Sequence, residues 1–246
     1  MMSLGWLGRF TEAAAYEAEI IRLAQAAGHA NTIGWAQCAA GTLHMLRGDR
    51  AKARGPFETF LAEVRTGNVG VMLPPAMAFS AWRLAQFGET AEALERLRVT
   101  EQLLLEQAAR GWIGQTGWLW GLLGRAAFVL GRPDEARRLA GRAIDCSPHQ
   151  PGFAAYALLL QGDIAASSQG FDAERGETCY RAALALAEPR GMRPLIARCH
   201  LGLGRLHRRL GRRGQADRFL ETVMAMHRGM EMSLEDSRQD ETMGVP

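Results

Sequence analysis

The residue types that most often carry chemistry fall in this chain at spacings that do not serve it. Cys199 and His200 are neighbours, so on a helix they point about 100° apart and cannot share a metal face. His200 and His207 lie two turns apart on one face, which could in principle hold a ligand. His-Glu-x2-His does not occur, and no Gly-x4-Gly-Lys-Ser/Thr loop exists to cradle a phosphate. Gly202-Leu203-Gly204 is a fragment of a dinucleotide fingerprint, but it lies mid-helix after no strand. Asp134-Glu135, and Asp172 with Glu174, are acids at helix starts, where they complement the macrodipole rather than forming a catalytic pair. Cys38, Cys146, Cys179 and Cys199 show no Cys-x2-Cys spacing and read as small apolar thiols in a reducing compartment. These absences point away from an enzyme, and no cofactor or metal is expected.

What remains is surface, and surface must be positioned by a scaffold. Five times a Gly is followed five residues later by an Ala: Gly8–Ala13, Gly48–Ala53, Gly88–Ala93, Gly131–Ala136 and Gly211–Ala216. The glycine intervals are 40, 40, 43 and 80 residues, the last holding one degenerate copy near Gly170. A fixed period of this size marks a stacked repeat. The Gly supplies the left-handed residue that ends one helix. The Ala, one turn into the next, lets two helices approach closely. Each unit is therefore a helix A, a short turn and an antiparallel helix B.

The pattern predicts A helices over 31–46, 73–86, 112–129, 151–167 and 193–209. It predicts B helices over 9–27, 50–66, 90–109, 133–146, 173–188 and 213–228. Pro74, Pro75, Pro133, Pro151 and Pro194 stand at or near helix starts, where the missing N–H costs nothing. No segment alternates with period two, so no strand is expected. The expected organisation is a truncated leading repeat over 1–30, five hairpins over 31–229 and an acidic, disordered tail over 230–246. Only Leu4 to Leu7 stand before the first B helix, so the chain is expected to begin inside a repeat.

The third unit carries a resemblance to tetratricopeptide repeats. Trp120-x2-Leu123-Gly124-x2-Ala127, then Ala136-x3-Ala140-x2-Ala143 and Pro148, keeps that family's spacing, with Ala where a Tyr and a Phe are usual. Leu203-Gly204-x2-His207 with Ala216, Leu220 and Val223, and Gly41-x2-His44 with Ala53 and Phe57, repeat it. His44 and His207 thus occupy the family's usual Tyr packing position and are expected between helices. The period near 40 exceeds the ordinary 34. This longer form resembles the C-terminal repeat region of large bacterial signalling ATPases, including adenylate/guanylate cyclase-like proteins and relatives of the maltose-type activators. That narrower likeness rests on Phe171-Asp172-Ala173-Glu174, Tyr180 to Ala187, Gly191 to Leu195 and Cys199 to Gly204. The resemblance implies an all-α, TPR-like α-solenoid of antiparallel helix hairpins in a right-handed superhelix.

In such stacks the A helices line the concave side, and residues two before the packing set face it. The candidate partner-binding groove is Trp35, Trp82, Trp118, Arg125, Phe128, Tyr156, Asp163, Arg198, Arg205 and Arg208. It runs from aromatic to arginine-rich, and Trp and Arg are enriched at binding hot spots. A peptide with an apolar part and an acidic end would suit it. The family's Asn/Lys carboxylate clamp has no counterpart here. The bland reading buries these aromatics between tightly wound repeats.

Composition sets further limits. Among 29 basic residues only Lys52 is a lysine, a bias that reports a GC-rich genome. The formal charge of +3 is too slight to demand an anionic partner. The start Met-Met-Ser-Leu-Gly-Trp lacks a signal peptide's basic region and long apolar core. A cytoplasmic protein with no membrane partner is expected. The functional expectation is a non-catalytic scaffold for protein or peptide binding, serving as the sensor or regulatory repeat segment of a bacterial signalling system. The alternative is a nucleic-acid-binding repeat using Arg208, Arg209, Arg212 and Arg213, but Asp163 interrupts the basic track that it needs.

Overall fold

The computed structural model describes residues 1–111, Gly114 and 116–232. It divides into two compact units, Met1–Gly114 and Gln115–Pro246. Both are all-α helical repeats, and no strand occurs among the described residues.

The N-terminal unit holds α1 (Met2–Trp6), α2 (Phe10–Ala15), α3 (Glu17–Ala27), α4 (Ala30–Arg47), α5 (Arg50–Thr66), α6 (Leu73–Gln86) and α7 (Thr90–Ala109). Helices α4 and α5 form one close antiparallel pair, α6 and α7 the next, and α5 packs on α6. The leading segment differs from the single B helix expected over 9–27. It breaks at Tyr16 (φ −91°, ψ −11°), whose N–H bonds back to the Ala13 carbonyl. Leu4 to Leu7 lie in or beside the short α1, which packs against α4.

The C-terminal unit holds α8 (Thr116–Val129), α9 (Pro133–Asp145), α10 (Pro151–Ala166), α11 (Ala173–Ala187), α12 (Arg193–Arg209) and α13 (Arg213–Gly229). Consecutive helices pair as α8–α9, α10–α11 and α12–α13, and the A helix α10 touches both α8 and α12. The expected start of α8 at 112 falls partly on residues outside those described, as does the tail from 233 onward.

The punctuation works as its residue types dictate. Gly48 (φ 96°) and Gly88 (φ 75°) end their A helices in the left-handed region, where a Cβ would be strained, and Gly8, Gly131, Gly170 and Gly211 share that backbone. Five residues on, Ala13, Ala53, Ala93, Ala136 and Ala216 are fully buried. The degenerate copy at Gly170 carries a longer turn, and there the small buried residue is Gly176. Asp49 and Asp172 cap their B helices by accepting the N–H of Lys52 (3.1 Å) and Arg175 (3.0 Å).

Candidate functional site

Three A helices of the C-terminal unit present side chains at one common spacing. Trp118 and Arg125 on α8, Tyr156 and Asp163 on α10, and Arg198 and Arg205 on α12 are each seven residues apart. Seven residues return a helix to within about 20° of the same direction. Each pair therefore shares a face, and the stacking of α8, α10 and α12 sets the pairs side by side.

A polar relay ties this face to the layer behind it. Arg125 Nη1 donates to Asp163 Oδ2 at 2.5 Å, and Tyr180 Oη donates to Asp163 Oδ1 at 2.9 Å. Tyr180 belongs to the B helix α11, so its ring must pass between two A helices to reach Asp163. Glycines make the passage. A Cβ on Gly162 would stand 2.7 Å from the Tyr180 ring, and one on Gly202 2.4 Å from its Cζ. Any larger residue at either position would collide with the ring. The buried phenol is thereby aimed at a half-buried carboxylate, and the carboxylate at a guanidinium.

The remaining groove residues divide by what they already touch. Trp118 stacks on Phe153, rings 5.8 Å apart and 6° from parallel. Phe128 is half-buried on α8. Arg205 is half-buried, and its Nη2 is enclosed without a hydrogen-bond partner. Arg208, one turn on, is exposed. Arg209 is a strut: Nη1 donates to the carbonyls of Ala166 (3.0 Å) and Ser167 (3.1 Å), and the guanidinium covers the Phe171 ring at 3.8 Å. One of the four arginines of the nucleic-acid reading is thus committed to closing the C-terminal end of α10. Trp35 and Trp82 lie in the N-terminal unit, both half-buried. Trp35 stacks on Phe60 at 6.3 Å, and the Trp82 Nε1 is buried without a partner.

The histidines pack between elements. His207 is buried with its ring 5.4 Å from that of Phe219 and 9° from parallel, while His200 lies 5.7 Å from the same ring. His44 bonds Glu17 at 2.9 Å, joining α4 to α3. No group of three or more His, Cys, Asp or Glu placed to hold a metal ion occurs among the described residues.

Burial governs the titratable groups around this face. Burial pushes the Cys199 thiol up to about 12, with Asp163 adding to the shift, so it is a protonated thiol near neutrality rather than a nucleophilic thiolate. Burial likewise raises Tyr156 to about 12. Burial, then the neighbouring Asp163 carboxylate, holds Tyr180 well above the ordinary phenol range. Burial lowers His200, which favours its neutral form. The carboxylate of Asp163 offsets one of the cations on this face, and it is spent on Arg125.

Sequence reasoning placed Arg125, Tyr156, Asp163, Arg198 and Arg205 on adjacent helices, named Tyr180 and Gly202 only within longer motifs without linking them to Asp163, and did not name Gly162. The available signal was an aromatic residue one turn after a small residue of a B helix, opposite glycines on two A helices.

No protein-family model and no curated protein matches this chain by sequence. By structure the chain is similar to BtubC (BKLC) from P. vanneervenii. The match has a TM-score of 0.59 at 16% identity and covers 92% of this chain and 93% of that one. At that identity the likeness concerns the fold. No helix among the described residues is long and apolar enough to cross a membrane.

Proposed function

We infer that the chain is a non-catalytic scaffold of the tetratricopeptide type whose A-helix face in the C-terminal unit binds an extended protein segment. The observation that carries this reading is the side-by-side placement of Trp118/Arg125, Tyr156/Asp163 and Arg198/Arg205 on three stacked helices. Aromatic platforms and arginines at a regular spacing are what a bound peptide uses as anchors. The residues Phe171 to Gly204, by their likeness to the repeat regions of cyclase- and ATPase-type signalling proteins, favour a regulatory or sensor segment of a bacterial system. A cytoplasmic location goes with that reading.

The test is copurification from the native host, comparing the wild type with a Trp118→Ala/Arg205→Glu variant shown to be folded by circular dichroism. A partner that is lost from the variant, and that rebinds the wild type when both are purified, supports the reading. Equal recovery of every partner by both proteins moves the site off this face. The DNA upstream of the reading frame decides the signalling assignment, since that assignment expects cyclase or ATPase modules to be encoded beside it.

A further inference from the structure

The arginines of the C-terminal unit differ in what they leave over. Arg125 has spent its charge on Asp163, and both oxygens of Asp163 are taken, one by Arg125 and one by Tyr180. Arg209 is spent on the end of α10 and on Phe171. Arg205 stands at the same helical register as Arg125 and Asp163, yet its Nη2 is enclosed and donates to nothing. Arg208 follows three residues later on α12, hence on the same side one turn on, and is exposed.

An enclosed guanidinium N–H without an acceptor weakens the folded state, because water has been given up and nothing replaces it. Such a group is tolerated when a ligand supplies the acceptor, and its removal then stabilises the empty protein at the expense of binding. Guanidinium donors match a carboxylate in shape as well as in charge. A nucleic acid would instead need a run of phosphate contacts along a basic track. Here that track is broken by Asp163 and loses Arg209 to its strut.

Building on the peptide-binding reading above, we propose that Arg205, assisted by Arg208, is the anchor for a carboxylate side chain of an acidic peptide lying on this face. Arg125 is excluded from that anchor because Asp163 already occupies it. Tyr180, by holding Asp163, keeps Arg125 out of competition for the ligand and fixes where along the face the acidic group is read.

The experiment measures fluorescence polarisation of a labelled hexaglutamate peptide at low salt, together with the melting temperature of each protein without peptide. The wild type binds. Arg205→Gln weakens binding at least tenfold and Arg208→Gln about threefold, while Arg125→Gln weakens it clearly less than Arg205→Gln does. Arg205→Met leaves the melting temperature of the empty protein unchanged or raises it, and that readout also confirms folding. Arg205→Lys restores part of the affinity. The proposal is overturned if hexaglutamate does not bind, if Arg205→Gln binds like the wild type, or if Arg125→Gln weakens binding as much. It is equally overturned if Arg205→Met lowers the melting temperature by several degrees, or if a uridine hexanucleotide binds more tightly than hexaglutamate. If hexaglutamate fails while a purified host partner still depends on Trp118, the acidic anchor falls and the peptide-binding reading stands.

Discussion

Phe57 in the N-terminal unit and Tyr180 in the C-terminal unit solve the same packing problem with one atom's difference. Each stands four residues after the small buried residue of its B helix, Ala53 and Gly176, and each ring fills a gap opened by glycine on a facing A helix. A Cβ on Gly41 would stand 2.6 Å from the Phe57 ring, much as one on Gly162 would stand 2.7 Å from Tyr180. Phe57 ends in an apolar cluster, its ring 4.9 Å from that of Phe79. Tyr180 ends in a hydroxyl that reaches Asp163 and, through it, Arg125. The steric plug is shared, and the hydroxyl converts it into a support for a charged surface. The same repeat can thus end in an apolar cluster in one place and be tied to a charged face in another, without a change of backbone.

The harshest way to break the comparison is to remove both plugs. Phe57→Ala and Tyr180→Ala should each cost about 3–5 kcal/mol, read from urea unfolding midpoints. A loss below about 1 kcal/mol at either would mean that the gap collapses and that the ring is not what holds the helices apart. Filling the gaps from the other side is the next test. Gly202→Ala and Gly41→Ala should cost about 1–3 kcal/mol each by overpacking. Tyr180→Leu should relieve Gly202→Ala, because ring and methyl compete for one space, and should do nothing for Gly41→Ala. Additive effects in the Tyr180/Gly202 cycle would contradict the shared slot.

Exchanging the hydroxyl sharpens the comparison. Tyr180→Phe should cost about 1 kcal/mol, since Asp163 keeps its pairing with Arg125. Phe57→Tyr should also destabilise, because the new hydroxyl would enter an apolar cluster without a partner. A stabilised Phe57→Tyr would show that the N-terminal unit hides an acceptor. The smallest effect is expected from alkali. Burial raises Cys38 in the first unit and Cys199 in the second, the latter to about 12. A group whose folded pKa is raised contributes stability that is complete below its unfolded value and is lost as pH climbs. For thiols the loss begins near pH 9, at about 1.4 kcal/mol per pH unit for each thiol, hence less than about 1 kcal/mol at pH 9.5. Melting temperatures between pH 8 and 10 should fall, and Cys38→Ala or Cys199→Ala should each flatten the fall. Equal slopes in the wild type and both variants would refute the assignment.

Most of the scaffold was legible in the sequence because it is written in local terms. The Gly–Ala spacing located the turns, and α5, α6, α7 and α12 run over the residues that periodicity expected. The break at Tyr16 escaped because no proline or glycine marks it. The substitution of Gly176 for alanine escaped because the longer turn shifts the five-residue spacing. The site was legible as a face but not as a set of partners. The i, i+7 spacing puts Arg125, Asp163 and Arg205 in one register, yet nothing local says that Asp163 bonds Arg125 while Arg205 is left unpaired. Arg209 reads in the sequence as part of a basic turn. Only the packing of the neighbouring hairpin shows that it closes the end of α10.

Within each unit, pairing of consecutive helices has a consequence for how the protein is made. Even the strut from Arg209 reaches back only 43 residues, to Ala166. Low sequence separation between contacting groups favours rapid folding. A chain emerging from the ribosome therefore never waits long for the partner of a newly exposed apolar face. Each hairpin can close as soon as its second helix appears and then serve as the template for its successor in the same unit. Assembly in this order runs toward the C-terminal end, so α12, which carries both Gly202 and Arg205, closes over the Tyr180 ring after α10 and α11 have brought Asp163 and Tyr180 together.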